Sequence, residues 1–326
     1  MMAGPFAHMI LVDTLCQDAS VLDSIDTLTK KMKQGLMKFP KFCELGAASP
    51  DCPYLKLLSE EAARWGNIMH YWKTADFIRR AVPYVHNLDW RSADTLKCFA
   101  WLFGYTAHVV TDSTVHPVVN LRVGPYEQNK KEHRRCELHQ DTYIFQKLTE
   151  DDIGTAEYVR RCGIGSCADP TNRHRLDPAI SELWRRGLKG VPLGSVTMKG
   201  GLLPAPESPP DPDDWFRHYV KMLDKFAEEG GRVPRLCREI GEDAGLFYPE
   251  FREVDQSYIE KLPTPDNTTT DYDQLFERAQ QNVRSSWREL GAALDSGDEN
   301  LFTLANVDLD TGLAEDGSFV HWRNNA

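Results

Sequence analysis

The sequence predicts an all-α protein built as a multi-helix bundle. Three observations point to this fold. Apolar residues recur at three- and four-residue steps in several segments, strand-like alternation is scarce, and a single long proline-rich stretch interrupts the helical pattern. With 326 residues, of which 41% are hydrophobic, the chain can bury a large core. We see no internal repeat.

Four segments show the helical period. Residues 21–36 and 92–119 are the first two, and the second is a long apolar helix candidate. The others run from Trp215 to Phe226 and from Leu275 to Leu294. Between residues 190 and 212, six prolines and four glycines predict a long loop. We expect residues 1–150 and 151–295 to form one domain, followed by an irregular acidic tail over residues 296–326.

Charge and cysteine content narrow the function classes. The net charge of −11 disfavours a broad basic groove, so nucleic acid is an unlikely partner. No apolar run reaches the length of a membrane span, and the first residues lack the charged region of a signal peptide. The eight cysteines include no C-x-x-C pair. Cys162 and Cys167 flank a short loop that a disulfide can close, although free buried cysteines are equally ordinary.

The most informative segment contains His108, Asp112 and His116 at four-residue spacing within the apolar helix candidate. On an α-helix these side chains line one side over roughly 12 Å. Buried polar groups without partners are costly, so three of them in an apolar helix need partners. The spacing suits a row of metal ions with the carboxylate in the middle, and imidazole with carboxylate suits Zn²⁺.

Four further pieces carry ligand-type side chains, and each also has an ordinary explanation. His133 and Glu137 stand four residues apart, which is typical of a helix-borne zinc pair or of a surface pair. Asp51 follows Pro50 and can be a helix cap. His8 and His70 can be packed or exposed histidines without a ligand role.

In chain order these pieces resemble the zinc-dependent phospholipase C family, which shares its fold with the single-strand-specific zinc nucleases. The shared pattern is an early His, a Pro-Asp turn, a His about twenty residues later, His-x3-Asp-x3-His-Pro, and His-x3-Glu-x3-Asp. The last motif ends at Asp141, which is not a zinc ligand in the family. The resemblance implies two or three zinc ions held by His8, Asp51, His70, His108, Asp112, His116, His133 and Glu137.

The resemblance also distributes these ligands. It gives one zinc to Asp51, His70, His108 and Asp112, and a second to His116, His133 and Glu137. Asp112 then bridges to a third zinc held by His8 and by the backbone of the N-terminal residue. The family has a tryptophan at that terminus, whereas this chain begins Met1-Met2.

The implied activity is phospholipase C hydrolysis of a phospholipid to diacylglycerol and a phosphorylated headgroup, with Asp51 as general base. A choline cation is best held by aromatic faces and a carboxylate, so phosphatidylcholine is the expected substrate. The aromatic residues beside the predicted ligands are candidates for this role, although each can also simply pack the bundle: Tyr54, Trp65, Tyr71 and Trp72.

Two other functions fit the same residues. One is a single-strand nuclease or nucleotidase, for which the basic residues beside His133 would serve as strand contacts. The other is a non-catalytic helical module in which zinc only holds the bundle together. A lipid substrate leads us to expect a secreted protein, or one delivered to a target cell without a Sec signal. The alternative is a cytoplasmic protein.

Overall fold

The structure is a computed structural model, and it describes residues 5–56, 59–150, 163–194, 197–198, 203–229 and 248–322. It confirms the predicted all-α class. In chain order the described α-helices are α1 Pro5–Gln17, α2 Ala19–Ser24, α3 Lys30–Lys38, α4 Pro40–Ala48, α5 Glu60–Tyr71, α6 Thr74–His86, α7 Ala93–Val123, α8 Tyr126–Thr149, α9 Pro178–Gly187, α10 Pro212–Glu229 and α11 Tyr272–Ser296.

Short 3-10 helices and two-stranded antiparallel hairpins join these helices. The 3-10 helices cover Ser49–Leu55, Ile164–Cys167, Phe251–Glu253, Gln256–Tyr258 and Glu299–Leu301. The hairpins pair β1 Ala168–Asp169 with β2 Asn172–Leu176, β3 Thr197–Met198 with β4 Leu203–Pro204, β5 Leu262–Pro263 with β6 Thr269–Thr270, and β7 Val307–Asp308 with β8 Leu313–Ala314.

The first predicted helix is the one that the structure corrects. Residues 21–36 do not form one helix, because α2 ends at Ser24 and α3 begins after Thr29. The Thr29 hydroxyl accepts a hydrogen bond from the Met32 backbone N–H, which caps the new helix. Ile25 and Leu28 lie between the two helices and are still buried. Apolar residues therefore continue the helical period through the turn, and the sequence pattern does not reveal the break.

Helix α7 is the centre of the bundle, and it is buried on all sides over most of its length. It crosses α4 at very short range through two glycines. A Cβ at Gly104 would run into the Cys43 carbonyl oxygen, and one at Gly46 would run into the Trp101 carbonyl oxygen. This close crossing brings the end of α4 against the middle of α7.

The C-terminal residues pack onto α6 and α7, although they contain little regular secondary structure. Asn306 accepts hydrogen bonds from the Ala75 and Asp76 backbone N–H groups, both at 3.0 Å, and so caps α6. The Trp322 indole N–H donates to the Thr114 carbonyl oxygen at 2.8 Å. We call residues 302–322 the C-terminal clamp.

The described helices and cysteines bear on two further expectations, which concern a membrane span and a disulfide. Among the described helices, none is both long and apolar enough to cross a membrane. Cys167 is buried and forms no disulfide with another described residue. Cys162 lies outside the described residues, so a disulfide between the two and a pair of free thiols stay alternatives.

Candidate metal centre

Helix α7 supplies the row of polar side chains that the sequence predicted. His108, Asp112 and His116 are at most 1% exposed, and they share one side of the helix. The Asp112 carboxylate lies between the two rings, 3.1 Å from His108 Nε2 and 3.5 Å from His116 Nε2. The structure therefore puts the carboxylate at the middle of the row.

Helix α1 brings His8 to the same carboxylate. His8 Nε2 lies 2.9 Å from Asp112 Oδ1, and the His8 ring stacks on the His108 ring. Asp141 holds the first turn of α1, because its carboxyl group accepts hydrogen bonds from the Ala7 N–H at 2.9 Å and the Phe6 N–H at 3.3 Å. Asp141 thus positions His8 without touching Asp112.

A second group forms where the 3-10 helix after α4 meets α5. Asp51 Oδ1 lies 3.2 Å from His70 Nε2, and Asp51 Oδ2 lies 4.0 Å from His108 Nδ1. All three residues are buried. His108 therefore borders both this group and the one that contains His8.

The third group joins α7 to α8. Glu137 Oε1 lies 2.8 Å from His133 Nε2 and 3.2 Å from His116 Nε2. His133 and Glu137 are four residues apart on α8, which is why both reach the same point. Each of the three groups offers ligand atoms within 4.8 Å of one another, as a metal ion requires.

Backbone carbonyl oxygens fix the tautomer of three of these histidines. His70 Nδ1 donates to the Gly66 carbonyl, and His108 Nδ1 donates to the Ala47 carbonyl, each at 2.8 Å. His116 Nδ1 donates to the Leu309 carbonyl, also at 2.8 Å. With the proton on Nδ1, each Nε2 keeps a lone pair directed at the carboxylates, which is how metal-binding histidines are usually oriented.

Buried ligand-type atoms without a hydrogen bond are concentrated here, which fits metal binding, since buried polar atoms normally find a hydrogen-bond partner. Several carboxylate oxygens and ring nitrogens lie close together here, and a bound divalent cation would coordinate them. Within the part of the chain that the structure describes, these atoms are Asp51 Oδ1 and Oδ2, Asp112 Oδ1 and Oδ2, His108 Nε2, His116 Nε2, His133 Nε2 and Glu137 Oε1.

The sequence model of the family described as zinc dependent phospholipase C matches residues 8–193. This range covers more than half of the chain. The chain belongs to the zinc-dependent phospholipase C family. All eight predicted ligands fall inside the match, which starts at His8. Comparison with the curated proteins and with the solved structures gives no match.

Family membership makes the chain a zinc-dependent phosphodiester hydrolase at the family level. The electrostatics of the cluster agree with cation binding. Burial opposes protonation of His116, but Asp112 and Glu137 outweigh burial and raise its pKa to about 10. Burial likewise opposes ionisation of Asp112, yet the rings of His116, His108 and His8 hold the pKa of Asp112 well below its usual range. Protons thus take the place that divalent cations would occupy.

Two of the four predicted substrate aromatics lie beside the candidate metal centre, and two do not. The Tyr54 and Tyr71 rings lie 5.3 and 6.1 Å from the His70 ring. Trp65 is 2% exposed, packs on Trp215 and donates its indole N–H to the Ser208 carbonyl. It is therefore a core residue and offers no free face to a substrate.

Trp72 is also occupied by the protein itself. Lys73 Nζ lies 5.1 Å from the centre of its ring, and the Arg80 guanidinium carbon lies 5.9 Å away. Such cation–π contacts use the ring face that a choline cation would need.

Sequence reasoning missed two contributors from outside the family match. Leu309 supplies a backbone carbonyl to His116, and its backbone N–H donates to the His70 carbonyl at 3.0 Å. Asp310 accepts a hydrogen bond from the Tyr71 hydroxyl at 2.8 Å. A backbone carbonyl leaves no sequence signal, and Asp310 lies in the acidic stretch that we expected to be an irregular tail.

Tyr126 is a third residue that we had not singled out. Its ring stands edge-on to the His133 ring at 5.0 Å and is only partly buried. Burial, together with Glu137 and Asp310, raises the pKa of Tyr126. Tyr126 therefore connects the buried centre to the protein surface.

Proposed function

We propose that this protein hydrolyses the phosphodiester bond of phospholipids, with phosphatidylcholine as the preferred substrate. The observation that carries the proposal is the convergence of eight buried His, Asp and Glu side chains from five segments into three adjoining groups of ligand atoms. Structural zinc sites are closed by four protein ligands, whereas catalytic sites keep a position open. The group of His116, His133 and Glu137 offers three protein ligands and so leaves such a position.

We assign the ligands as the family pattern implies. Because His108 Nδ1 is committed to Ala47, only its Nε2 is available, and we give it to the ion held with Asp51, His70 and Asp112. His116, His133 and Glu137 would hold a second ion. His8 and Asp112 would hold a third, and the N-terminal backbone expected to complete that site lies outside the described residues.

The protein residues divide the remaining work. Zinc, when bound, lowers the pKa of water toward about 7 and neutralises charge on the phosphate. Asp51 is the proposed general base, since its carboxylate faces the centre from the 3-10 helix and is 2% exposed. Gly66, Ala47 and Leu309 hold the three histidine rings in place through their carbonyl oxygens.

Choline recognition is assigned to Tyr54, Tyr71 and Asp310. A quaternary ammonium binds to aromatic faces and to a carboxylate. The Tyr54 ring is seated against Gly66, where a Cβ would lie 2.6 Å from its Cζ atom. The Tyr71 hydroxyl ties the second ring to the Asp310 carboxylate. Since the producer's own membranes contain phospholipid, we also propose that the protein acts outside the producing cell.

The test is a comparison of zinc-loaded protein on phosphatidylcholine and on single-stranded DNA, with a chelator control and with metal content measured by elemental analysis. We expect two or three zinc ions per chain and hydrolysis of the lipid, lost with the chelator and restored by zinc. Hydrolysis of DNA alone would favour the nuclease alternative. Bound zinc without hydrolysis of either substrate would favour the non-catalytic module.

A further inference from the structure

A strongly basic turn lies at the junction of α7 and α8. We call residues 121–135 the basic turn. It contains five basic residues, namely Arg122, Lys130, Lys131, Arg134 and Arg135, and two acidic ones, Glu127 and Glu132, in a chain whose net charge is −11. Gly124 makes the reversal possible, since its φ of 90° is unfavourable for other residues. The basic turn therefore opposes the charge of the rest of the protein.

Three of the five cations of the basic turn point to solvent, whereas Arg134 and Arg135 are half-buried. Arg122, Lys130 and Lys131 are exposed, and none of them forms a salt bridge within the described ranges of the chain. Glu132 faces the protein body instead, because its carboxylate accepts a hydrogen bond from the Tyr258 hydroxyl. Leu121 adds an apolar side chain that is 52% exposed. Exposed cations beside an exposed leucine are the composition of a membrane-contacting surface.

The basic turn also borders the metal centre. Tyr126 stands within it and packs edge-on against His133, one of the ligands on α8. Lys130 Nζ lies 5.8 Å from the centre of the Tyr126 ring. A surface that rests on the basic turn is thus one aromatic ring away from the group of His116, His133 and Glu137.

We propose that the basic turn docks on the surface of an anionic phospholipid membrane and so presents lipid headgroups to the metal centre. This inference rests on the proposed function and adds a partner to it. The chemistry favours a membrane over a nucleic-acid strand. Single strands bind to exposed aromatic faces along a basic groove, whereas the Tyr126 ring is already engaged by Lys130 and His133.

The experiment measures binding of the zinc-loaded protein to vesicles by sedimentation. The vesicles contain a non-cleavable phosphonate analogue of phosphatidylcholine, either alone or mixed with equal phosphatidylserine. We expect tighter binding to the anionic vesicles. At about 1 kcal/mol for each cation near an anionic surface, the double variant Arg122→Gln/Lys131→Gln should bind roughly 30-fold more weakly.

A matched control comes from α3. Lys30 and Lys38 are exposed, and α3 packs against the start of α7 through Gly35 and Leu96, some 37 Å along α7 from the basic turn. Lys30→Gln/Lys38→Gln removes the same charge, and we expect it to leave vesicle binding unchanged. Leu121→Ser tests the apolar contact in the same way. Its control is Met37→Ser on α3, since Met37 is 57% exposed.

A soluble short-chain phosphatidylcholine below its micelle concentration separates this proposal from the proposed function. We expect Arg122→Gln/Lys131→Gln to hydrolyse it at the wild-type rate while losing activity on anionic vesicles. Equal vesicle binding by the two double variants would overturn the docking proposal and leave the enzyme assignment standing. Binding to a single-stranded oligonucleotide that is tighter than binding to vesicles, and that Arg122→Gln/Lys131→Gln weakens equally, would also overturn it. No hydrolysis of the soluble lipid by the wild type would contradict the proposed function.

Discussion

The Asp141 side chain offers a sharp test of how the N-terminal helix positions His8. It accepts hydrogen bonds from the Ala7 and Phe6 backbone N–H groups and one from the Tyr248 hydroxyl. Burial raises the pKa of Asp141, and the hydrogen bonds lower it by a smaller amount, so that the pKa is about 8. In the metal-free protein the side chain is therefore mostly a neutral carboxylic acid at neutral pH, and asparagine is its closest mimic.

The magnitude follows from the two variants. Asp141→Ala removes both acceptors of the first turn of α1, and two neutral hydrogen bonds are worth about 1 kcal/mol each. Leaving the two N–H groups buried adds to this loss, so we expect it to destabilise the protein by about 2–4 kcal/mol. We expect Asp141→Asn to change stability by less than about 1 kcal/mol below about pH 4, where the wild-type carboxyl group is protonated in both the folded and the unfolded chain, since the asparagine carbonyl oxygen still accepts a hydrogen bond.

The pH dependence gives a second readout. The pKa of Asp141 is about 8 in the folded chain and near 3.8 when unfolded, so the unfolded state loses this proton first. Its contribution to stability is then complete below about pH 4, declines as the pH rises and is gone by about pH 8. At about 1.4 kcal/mol for each pKa unit, the full effect is at most roughly 6 kcal/mol.

The assay is urea unfolding of metal-free wild type and Asp141→Asn from mildly acidic to mildly alkaline pH. Groups other than Asp141 titrate in both proteins, so the difference between them isolates this side chain. We expect Asp141→Asn to gain stability relative to wild type as the pH rises. In the zinc-loaded proteins, Asp141→Ala should also hold less zinc, because His8 is released from Asp112. Parallel pH profiles together with a full zinc content in Asp141→Ala would refute the reasoning.

Three further predictions concern the metal centre and its support. Asp112→Asn should lose zinc and activity together, because it removes the carboxylate shared by three histidines. The control is Asp177→Asn, which changes an equally buried carboxylate that caps α9 and should keep both zinc and activity. Elemental analysis measures the zinc, and a lipid assay measures the activity. Gly104→Ala should destabilise the protein by about 3 kcal/mol or more, measured by urea unfolding, since its Cβ meets the Cys43 carbonyl; Gly165→Ala, with open space around it, should cost less than about 1 kcal/mol. Zinc affinity, measured by competition with a chelator, should fall as the pH drops. Asp112 and Glu137 stabilise the protonated form of the neighbouring histidines, so protons compete with zinc for these rings. A pH-independent affinity would contradict this.

The long helices were predictable because their pattern is repetitive. The row of His108, Asp112 and His116 could be located from spacing alone, since a four-residue step keeps side chains on one side of a helix. The break between α2 and α3 was missed because buried Ile25 and Leu28 continue the apolar period through a turn. There the Thr29 cap decided the local structure.

The site was predictable in its ligands and much less so in their support. Histidines and carboxylates are visible in a sequence, whereas the carbonyl oxygens of Ala47 and Leu309 can come from any residue. The proximity of Trp65 and Trp72 to His70 in the chain suggested a substrate role, but Trp65 stands on a different side of α5 from His70, and Trp72 follows the end of that helix in an extended conformation. As a result, Trp65 faces the core and Trp72 lies under Lys73 and Arg80.

The C-terminal clamp has a consequence for when the enzyme becomes active. Leu309 bonds to two of the proposed ligands, His116 and His70, and it is translated after every one of the eight. A nascent chain therefore carries all of its ligands before the His116 ring is locked in orientation. The metal centre would stay incompletely organised until the C-terminal clamp has been synthesised. Proteolytic removal of the clamp would free the His116 ring without removing a single ligand.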